Sequence, residues 1–280
     1  MSPAKRAARD FHATAGPEAV PDDLILGELV DMARRYPERG LLQFGGMVGA
    51  HQYRRLYRLL RSLVPEGATI LDWGTGNGHF SYFVQRSGRK AAGFSLLDGA
   101  FRAWLPDPEY SFRQGDEADP VGLPYPDGAF DAVASVGVLE HVRETGGSEE
   151  GSLREIARVL KPGGVFVCYH FPNRWSVIDA LARRVPGRHH HVYRYTRSDI
   201  VALALRSGLS LERVERYGIL PRNFSARLPG ALARSKGVAA AWDFVDGALA
   251  APLSMFCQNY LFVARKDPKS NEPAIPRSAT

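Results

Sequence analysis

The chain has 280 residues, 45% of them hydrophobic and 24% charged, a balance that suits a globular fold with one sizeable core or a core plus an accessory lobe. The formal net charge is +6, but the basic residues are dispersed, as Arg54, Arg55, Arg58 and Arg61 show. They read as a solvated helix face, and no nucleic-acid partner is expected. Two cysteines, Cys168 and Cys257, exclude a disulfide framework and a Cys-rich metal centre; no apolar run reaches the roughly 18 residues of a membrane span, and no apolar segment follows Lys5, Arg6 and Arg9, so a cytoplasmic location is expected.

Residues 1–20 are rich in Ala, Arg and Pro without periodicity and are expected to form a disordered tail. Over residues 22–36, Leu24, Ile25, Leu29 and Met32 recur at helical spacing behind the start signal Asp22/Asp23. Residues 41–49 are broken by glycine. Residues 51–63 then predict a basic amphipathic helix with Tyr53, Leu56, Leu59, Leu60 and Leu63 inward. Residues 21–66 are thus expected to form a helical cover; His51 and Tyr53 lie within reach of a ligand, although helix packing accounts for both. From residue 68 strand-like and helix-like runs alternate. Strands are predicted at 68–72, 90–95, 110–113, 130–136, 164–170, 209–217 and 258–265, with helices at 79–87, 98–104 and 149–160. Such alternation predicts an α/β fold: seven strands in a mostly parallel, doubly wound sheet with helices on both faces. Residues 267–280 are polar and contain Pro268, Pro273 and Pro276, and are expected to be disordered.

The most informative stretch is Ile70-Leu71-Asp72-Trp73-Gly74-Thr75-Gly76-Asn77-Gly78-His79-Phe80-Ser81. A strand ends in an acid, three alternating glycines follow, and an amphipathic run begins. The glycines permit positive φ and let backbone N–H groups approach a ligand without an intervening Cβ. The turn carries no Lys or Arg and lacks the spacing of a triphosphate loop, so its acid suits a ligand that carries positive charge. It resembles motif I of the class I S-adenosylmethionine-dependent methyltransferases, written roughly L-D-x-G-x-G-x-G. Three further runs resemble the same family in the same order. Leu123-Pro124-Tyr125-Pro126-Asp127-Gly128-Ala129-Phe130-Asp131 is similar to its L-P-F-P-D-x-x-F-D run. Leu139-Glu140-His141-Val142 is similar to the LEHV signature of the type that includes ubiquinone-biosynthesis methyltransferases. Leu160-Lys161-Pro162-Gly163-Gly164 is similar to its L-K-P-G-G turn before the fifth strand, where the proline stops a helix and the glycines make the turn. The matches span residues 70 to about 170.

The resemblance implies a Rossmann-like domain over residues 67–266 that binds S-adenosyl-L-methionine, gives S-adenosyl-L-homocysteine as product, and carries a helical lid from residues 171–200 and 219–257. By position it implies cofactor contacts from Asp72, Gly74, Gly76, Gly78, Ser95, Asp116, Val136 and His141. Asp116 would accept from the adenine amino group. Ser95 departs from the pattern: the family places a ribose-binding carboxylate there, and a hydroxyl accepts more weakly than a charged group. Asp98, three residues on, is an alternative.

The expected reaction is methylation of a small-molecule acceptor, with oxygen as the expected atom. An oxygen acceptor calls for a base, and the candidates are His141, His170, His190 and His191. Surface or loop-capping roles stand beside each of these histidines. The run His189-His190-His191 predicts no metal site, because adjacent side chains diverge and no Cys or paired carboxylate completes a ligand set. Cys168 lies in the apolar run 165–168 and reads as core. Residues 219–257 mix Phe224, Leu228, Leu232, Val238, Trp242, Phe244, Val245 and Leu249 with Arg222, Arg227, Arg234 and Lys236. They read as a lid or as a peripheral membrane contact that collects a lipid-linked acceptor. The alternatives to a small-molecule enzyme are that lipid-linked reading, a non-catalytic cofactor-binding module, and a nicotinamide-dependent oxidoreductase.

Overall fold

The computed structural model describes residues 20–188, 190–222 and 228–268. Most of both expected tails lies outside the described residues, as do His189, Phe224 and Arg227. The chain begins with α1 (Asp22–Arg35), whose face of Ile25, Leu26, Leu29, Val30 and Met32 is buried. Two 3-10 turns lead into α2 (Met47–Ala50), the 3-10 turn His51–Tyr53 and α3 (Arg54–Leu63). The predicted helix over 51–63 is therefore three helical pieces that begin at Met47. The inward stripe of α3 holds as Leu56, Tyr57, Leu59 and Leu60.

The rest is β1 (Thr69–Trp73), α4 (His79–Arg86), β2 (Lys90–Ser95), β3 (Ser111–Gln114), β4 (Phe130–Val136), α5 (Glu149–Val159), β5 (Leu160–Pro172), α6 (Val177–Ala182), α7 (Arg197–Arg206), β6 (Leu209–Tyr217), α8 (Gly230–Ala233), α9 (Lys236–Ala250) and β7 (Asn259–Lys266). Between β2 and β3 the predicted helix is a 3-10 run, Ala100–Trp104. Thr196 caps α7 with a reciprocal Asp199 contact.

The sheet has seven strands in the order β3-β2-β1-β4-β5-β7-β6, and β7 runs antiparallel to both neighbours. Alternating residues of each strand feed two separate cores. Ile70, Ala132, Ala134, Val165, Val167, Leu261 and Val263 face the N-terminal helices and α4, whereas Leu71, Val133, Phe166, Cys168, Tyr260 and Phe262 face α5 and α7. Helices on both faces confirm the doubly wound, Rossmann-like reading. The Lys161–Gly164 turn lies inside β5: Phe130 pairs with Leu160 and Ala132 with Val165, so the intervening residues loop out, with Gly163 at φ 75°. No helix among the described residues is long and apolar enough to cross a membrane.

Candidate active site

Strand order reverses between β1 and β4, whose carboxyl ends therefore diverge and leave a crevice. The glycine turn after β1 forms one side of it. Gly74, Gly76 and Gly78 have φ of 85°, 50° and 78°, a region that L side chains rarely occupy. A Cβ at Gly74 would meet Val138 at 2.3 Å and one at Gly78 would meet Phe101 at 2.3 Å, whereas one at Gly76 would meet nothing within 4 Å. The outer two glycines thus permit close packing, and the middle one keeps its backbone bare toward open space. That space is a cavity of about 1530 Å³, lined by Gly74, Thr75, Gly76 and Asn77 from the turn, Ser95 from β2, Val136 at the end of β4, and Gly137 and Val138 beyond it. It exceeds the roughly 300–1,000 Å³ of a single small-molecule pocket, which leaves room for two ligands.

Asp72, Gly78 and Asp116 do not reach the cavity wall. Asp72 is buried beneath the turn, where its Oδ2 accepts the Ser81 hydroxyl at 2.6 Å; Ser81 Oγ also lies 2.7 Å from the Tyr110 hydroxyl. Burial pushes the Asp72 carboxyl up to about 7 in spite of the Ser81 hydrogen bonds. Gly78 is covered by Phe101. Asp116 is exposed and turned to its own loop, accepting from the Ala118 backbone N–H at 2.8 Å. Ser95 lines the cavity, and its Oγ accepts from the Leu97 N–H at 3.1 Å.

Among the candidate bases, His141, His170 and His191 line the cavity; His190 is exposed outside it, with Nδ1 3.3 Å from the Arg188 carbonyl oxygen. His170 is the only non-glycine among the described residues with positive φ, at 65°, where β5 slips register against β7 between Cys168 and Phe171. Its backbone N–H donates to the Tyr217 hydroxyl at 2.8 Å and its Nδ1 lies 3.0 Å from the same oxygen. Tyr53, Tyr169 and Tyr217 surround the ring, and Nε2 is buried without a partner. This desolvation pushes the imidazolium down to about 3, so the ring is neutral. His141 Nδ1 lies 3.0 Å from Glu144 Oε1, and His191 Nδ1 lies 3.2 Å from Asp179 Oδ1.

Thr75, Gln43 and His79, which no sequence pattern above singles out as site residues, also line the cavity. His79 Nδ1 sits 2.9 Å from Asn77 Oδ1 and 3.2 Å from Gln43 Nε2, while burial pushes the ring down to about 3. The position of His79 directly after the third glycine was a usable signal; Gln43 had none. His51 and Tyr53, read as packing residues, also line the cavity. On the far wall His51 Nδ1 lies 2.8 Å from Asp243, and Arg222 donates to Asp243 at 2.6 Å and to Asp246 at 3.0 Å. Burial favours protonated Asp243, yet the hydrogen bonds from His51 and Arg222 outweigh it and hold the carboxyl below its usual range.

A family model described as a methyltransferase domain matches residues 49–214. The chain belongs to this methyltransferase-domain family. It is 27% identical over 191 residues to the ubiquinone/menaquinone biosynthesis C-methyltransferase UbiE of Chromobacterium violaceum, a match covering 63% of this chain and 64% of that protein. It is 30% identical over 190 residues to the ubiquinone biosynthesis O-methyltransferase of Xanthomonas axonopodis pv. citri, covering 62% and 76%. The chain spans 30 to 64% of the length of the curated relatives it matches first, sterol 24-C-methyltransferases among them. A chain of the Haloferax volcanii complex that contains the Trm112 methyltransferase activator has the same fold, with a TM-score of 0.52 and 18% identity over 96% of this chain and 99% of that one.

The residues present fit S-adenosylmethionine, the family's cofactor. The bare backbone at Gly76 offers N–H groups without a Cβ in the way. Thr75 Oγ1 is buried at the cavity wall with no partner, and the turn carries no cation to repel a sulfonium.

Proposed function

We propose that the protein is an S-adenosylmethionine-dependent methyltransferase that places a methyl group on an oxygen of a small-molecule acceptor. The observation that carries this reading is the glycine turn, whose bare Gly76 backbone shares one cavity with His170. When bound, the cofactor supplies a methyl group already activated by its sulfonium. The chain's task is then alignment and removal of one proton. Gly74, Thr75, Gly76, Ser95 and the Val136 backbone hold the cofactor, and His141 lies at the methyl-donating side. Asp72 and Gly78 act from below by shaping the turn, and Asp116 stands outside the cavity wall. His170 is the candidate base that stands in the cavity, with Nδ1 3.0 Å from the Tyr217 hydroxyl. Tyr217 stacks on Tyr169, whose hydroxyl donates to the Gln52 carbonyl at 2.5 Å, so the base is held in one orientation. In this reading residues 21–66 cover the pocket and residues 171–200 and 219–257 form its lid. Calorimetric titration with S-adenosylmethionine and S-adenosylhomocysteine tests it: micromolar binding of both is expected, and no binding at millimolar ligand would overturn it.

A second reading, transfer to a lipid-linked acceptor at a membrane surface, is favoured by an exposed apolar band. Phe244, Val245 and Leu249 of α9, then Leu253, Met255 and Phe256, are exposed, as are Trp175, Val177, Leu181 and Val185 around α6. An apolar band of this kind on a net basic chain suits an anionic bilayer. Co-sedimentation with anionic liposomes at low salt is the expected result, and a soluble fraction unchanged by liposomes would sink this reading.

A further inference from the structure

Glu140 and His141 lie on the 3-10 run Leu139–Thr145 that follows β4, and His191 lies in the segment between α6 and α7. The fold brings one potential ligand atom from each to within 4.8 Å of the others at the cavity wall. His141 Nε2 is 3.9 Å from Glu140 Oε1. Ligands on a tetrahedral ion about 2.0–2.1 Å away lie roughly 3.3–3.4 Å apart, so small side-chain rotations close the set.

Two further observations point to a cation. First, Glu140 is only 3% exposed, and its Oε2 has no hydrogen-bond partner. A buried carboxylate oxygen without donor or cation is costly, and it belongs to the same carboxylate whose Oε1 faces His141 Nε2. Second, each histidine turns Nδ1 to a carboxylate, His141 to Glu144 at 3.0 Å and His191 to Asp179 at 3.2 Å. A carboxylate on one ring nitrogen fixes the tautomer, as it does beside metal-bound histidines. Asp179 is itself held in place: its backbone N–H is capped by Ser176, its Oδ1 also accepts the His191 backbone N–H at 2.9 Å, and Arg183 and Arg194 flank Oδ2.

We propose that Glu140, His141 and His191 bind a divalent transition-metal ion, with Glu144 and Asp179 as positioning residues. Two imidazole nitrogens and one carboxylate oxygen suit a borderline ion such as Zn²⁺, Co²⁺ or Fe²⁺ rather than Mg²⁺ or Ca²⁺. Three protein ligands leave coordination positions open toward the cavity. The set shares His141 with the proposed cofactor contacts.

Tag-free full-length protein, stripped with a chelator, is dialysed against micromolar Zn²⁺ or Co²⁺. Bound metal is counted by atomic emission, and the visible absorption of Co²⁺ records its coordination. One ion per chain is expected, with affinity at least tenfold weaker in Glu140→Gln and in His191→Ala and about tenfold weaker in Glu144→Gln. Wild-type protein that takes up no ion would overturn the proposal. Unchanged uptake in both Glu140→Gln and His191→Ala would also overturn it, by placing the ion elsewhere. Titration of the same samples with S-adenosylhomocysteine shows that each variant is folded and reports separately on the methyl-transfer reading.

Discussion

Asp72 and His170 show how single positions depart from what their residue type suggests. Asp72 is the acid of the glycine turn, expected to meet the cofactor, yet its carboxylate is buried beneath the turn on Ser81. Unfolded, it titrates at about 3.9; folded, burial raises it to about 7. Between those values the folded chain binds more protons than the unfolded one. The stability Asp72 contributes is therefore fully present below about pH 4 and is lost as pH rises through 7. The Asp72→Asn variant lacks this loss, so its Tm relative to wild type should rise between pH 5 and pH 8; calorimetric curves that stay parallel would refute the burial argument. His170 holds a left-handed conformation that costs on the order of 1–3 kcal/mol in a non-glycine residue. Asn tolerates that region better than most residues. His170→Asn should therefore match or exceed wild-type stability in urea while kcat falls by about 10²–10⁴-fold. A fall in stability with kcat unchanged would make His170 a packing residue.

At the level of elements, the glycine turn divides its work between packing and access. Gly74 and Gly76 both have positive φ, so Ala costs about 1–2 kcal/mol at either from the backbone alone. At Gly74 the new methyl would also collide with Val138, whose three nearest atoms lie at 2.3 to 2.9 Å. Overpacking of that kind adds about 1–3 kcal/mol. Urea denaturation should find Gly74→Ala the less stable of the two by that margin. Titration should find Gly76→Ala folded but at least tenfold weaker for S-adenosylhomocysteine, because its methyl enters the cavity. Equal stabilities would contradict the close contact at Val138.

Across the whole molecule, the far wall joins segments that are distant in sequence. Residues 51 and 243 stand 192 positions apart, and Arg222 links Asp243 to Asp246 with only 13% of its side chain exposed. The N-terminal helices and α9 are thus tied by an ionic cluster that borders the cavity. Removing one partner strands the remaining charges, which costs about 3 kcal/mol for a buried pair. Arg222→Ala should lose about that much in urea denaturation and should also weaken S-adenosylhomocysteine binding. A loss below about 0.5 kcal/mol would mean that solvent reaches the cluster and screens it.

The strands, their alternation with helices and the glycine turn were legible in the sequence because they rest on local rules. Period-two burial places Ile70 and Leu71 on opposite cores, and positive φ at 74, 76 and 78 requires glycine. The family was legible for the same reason, since its motifs are contiguous runs of the chain. The cavity was legible only in part. Asp72 and Asp116 carry the expected chemistry at the expected positions, but burial and loop geometry turn their carboxylates away from it. The spacing of three adjacent histidines predicts no metal site, whereas His191 meets Glu140 and His141 only because a segment between α6 and α7 returns over the end of β4. Such meetings depend on how elements pack in three dimensions, and no spacing along the chain encodes them. Local pattern determined the fold and the turn; tertiary packing decided which side chains share the cavity and in what protonation state.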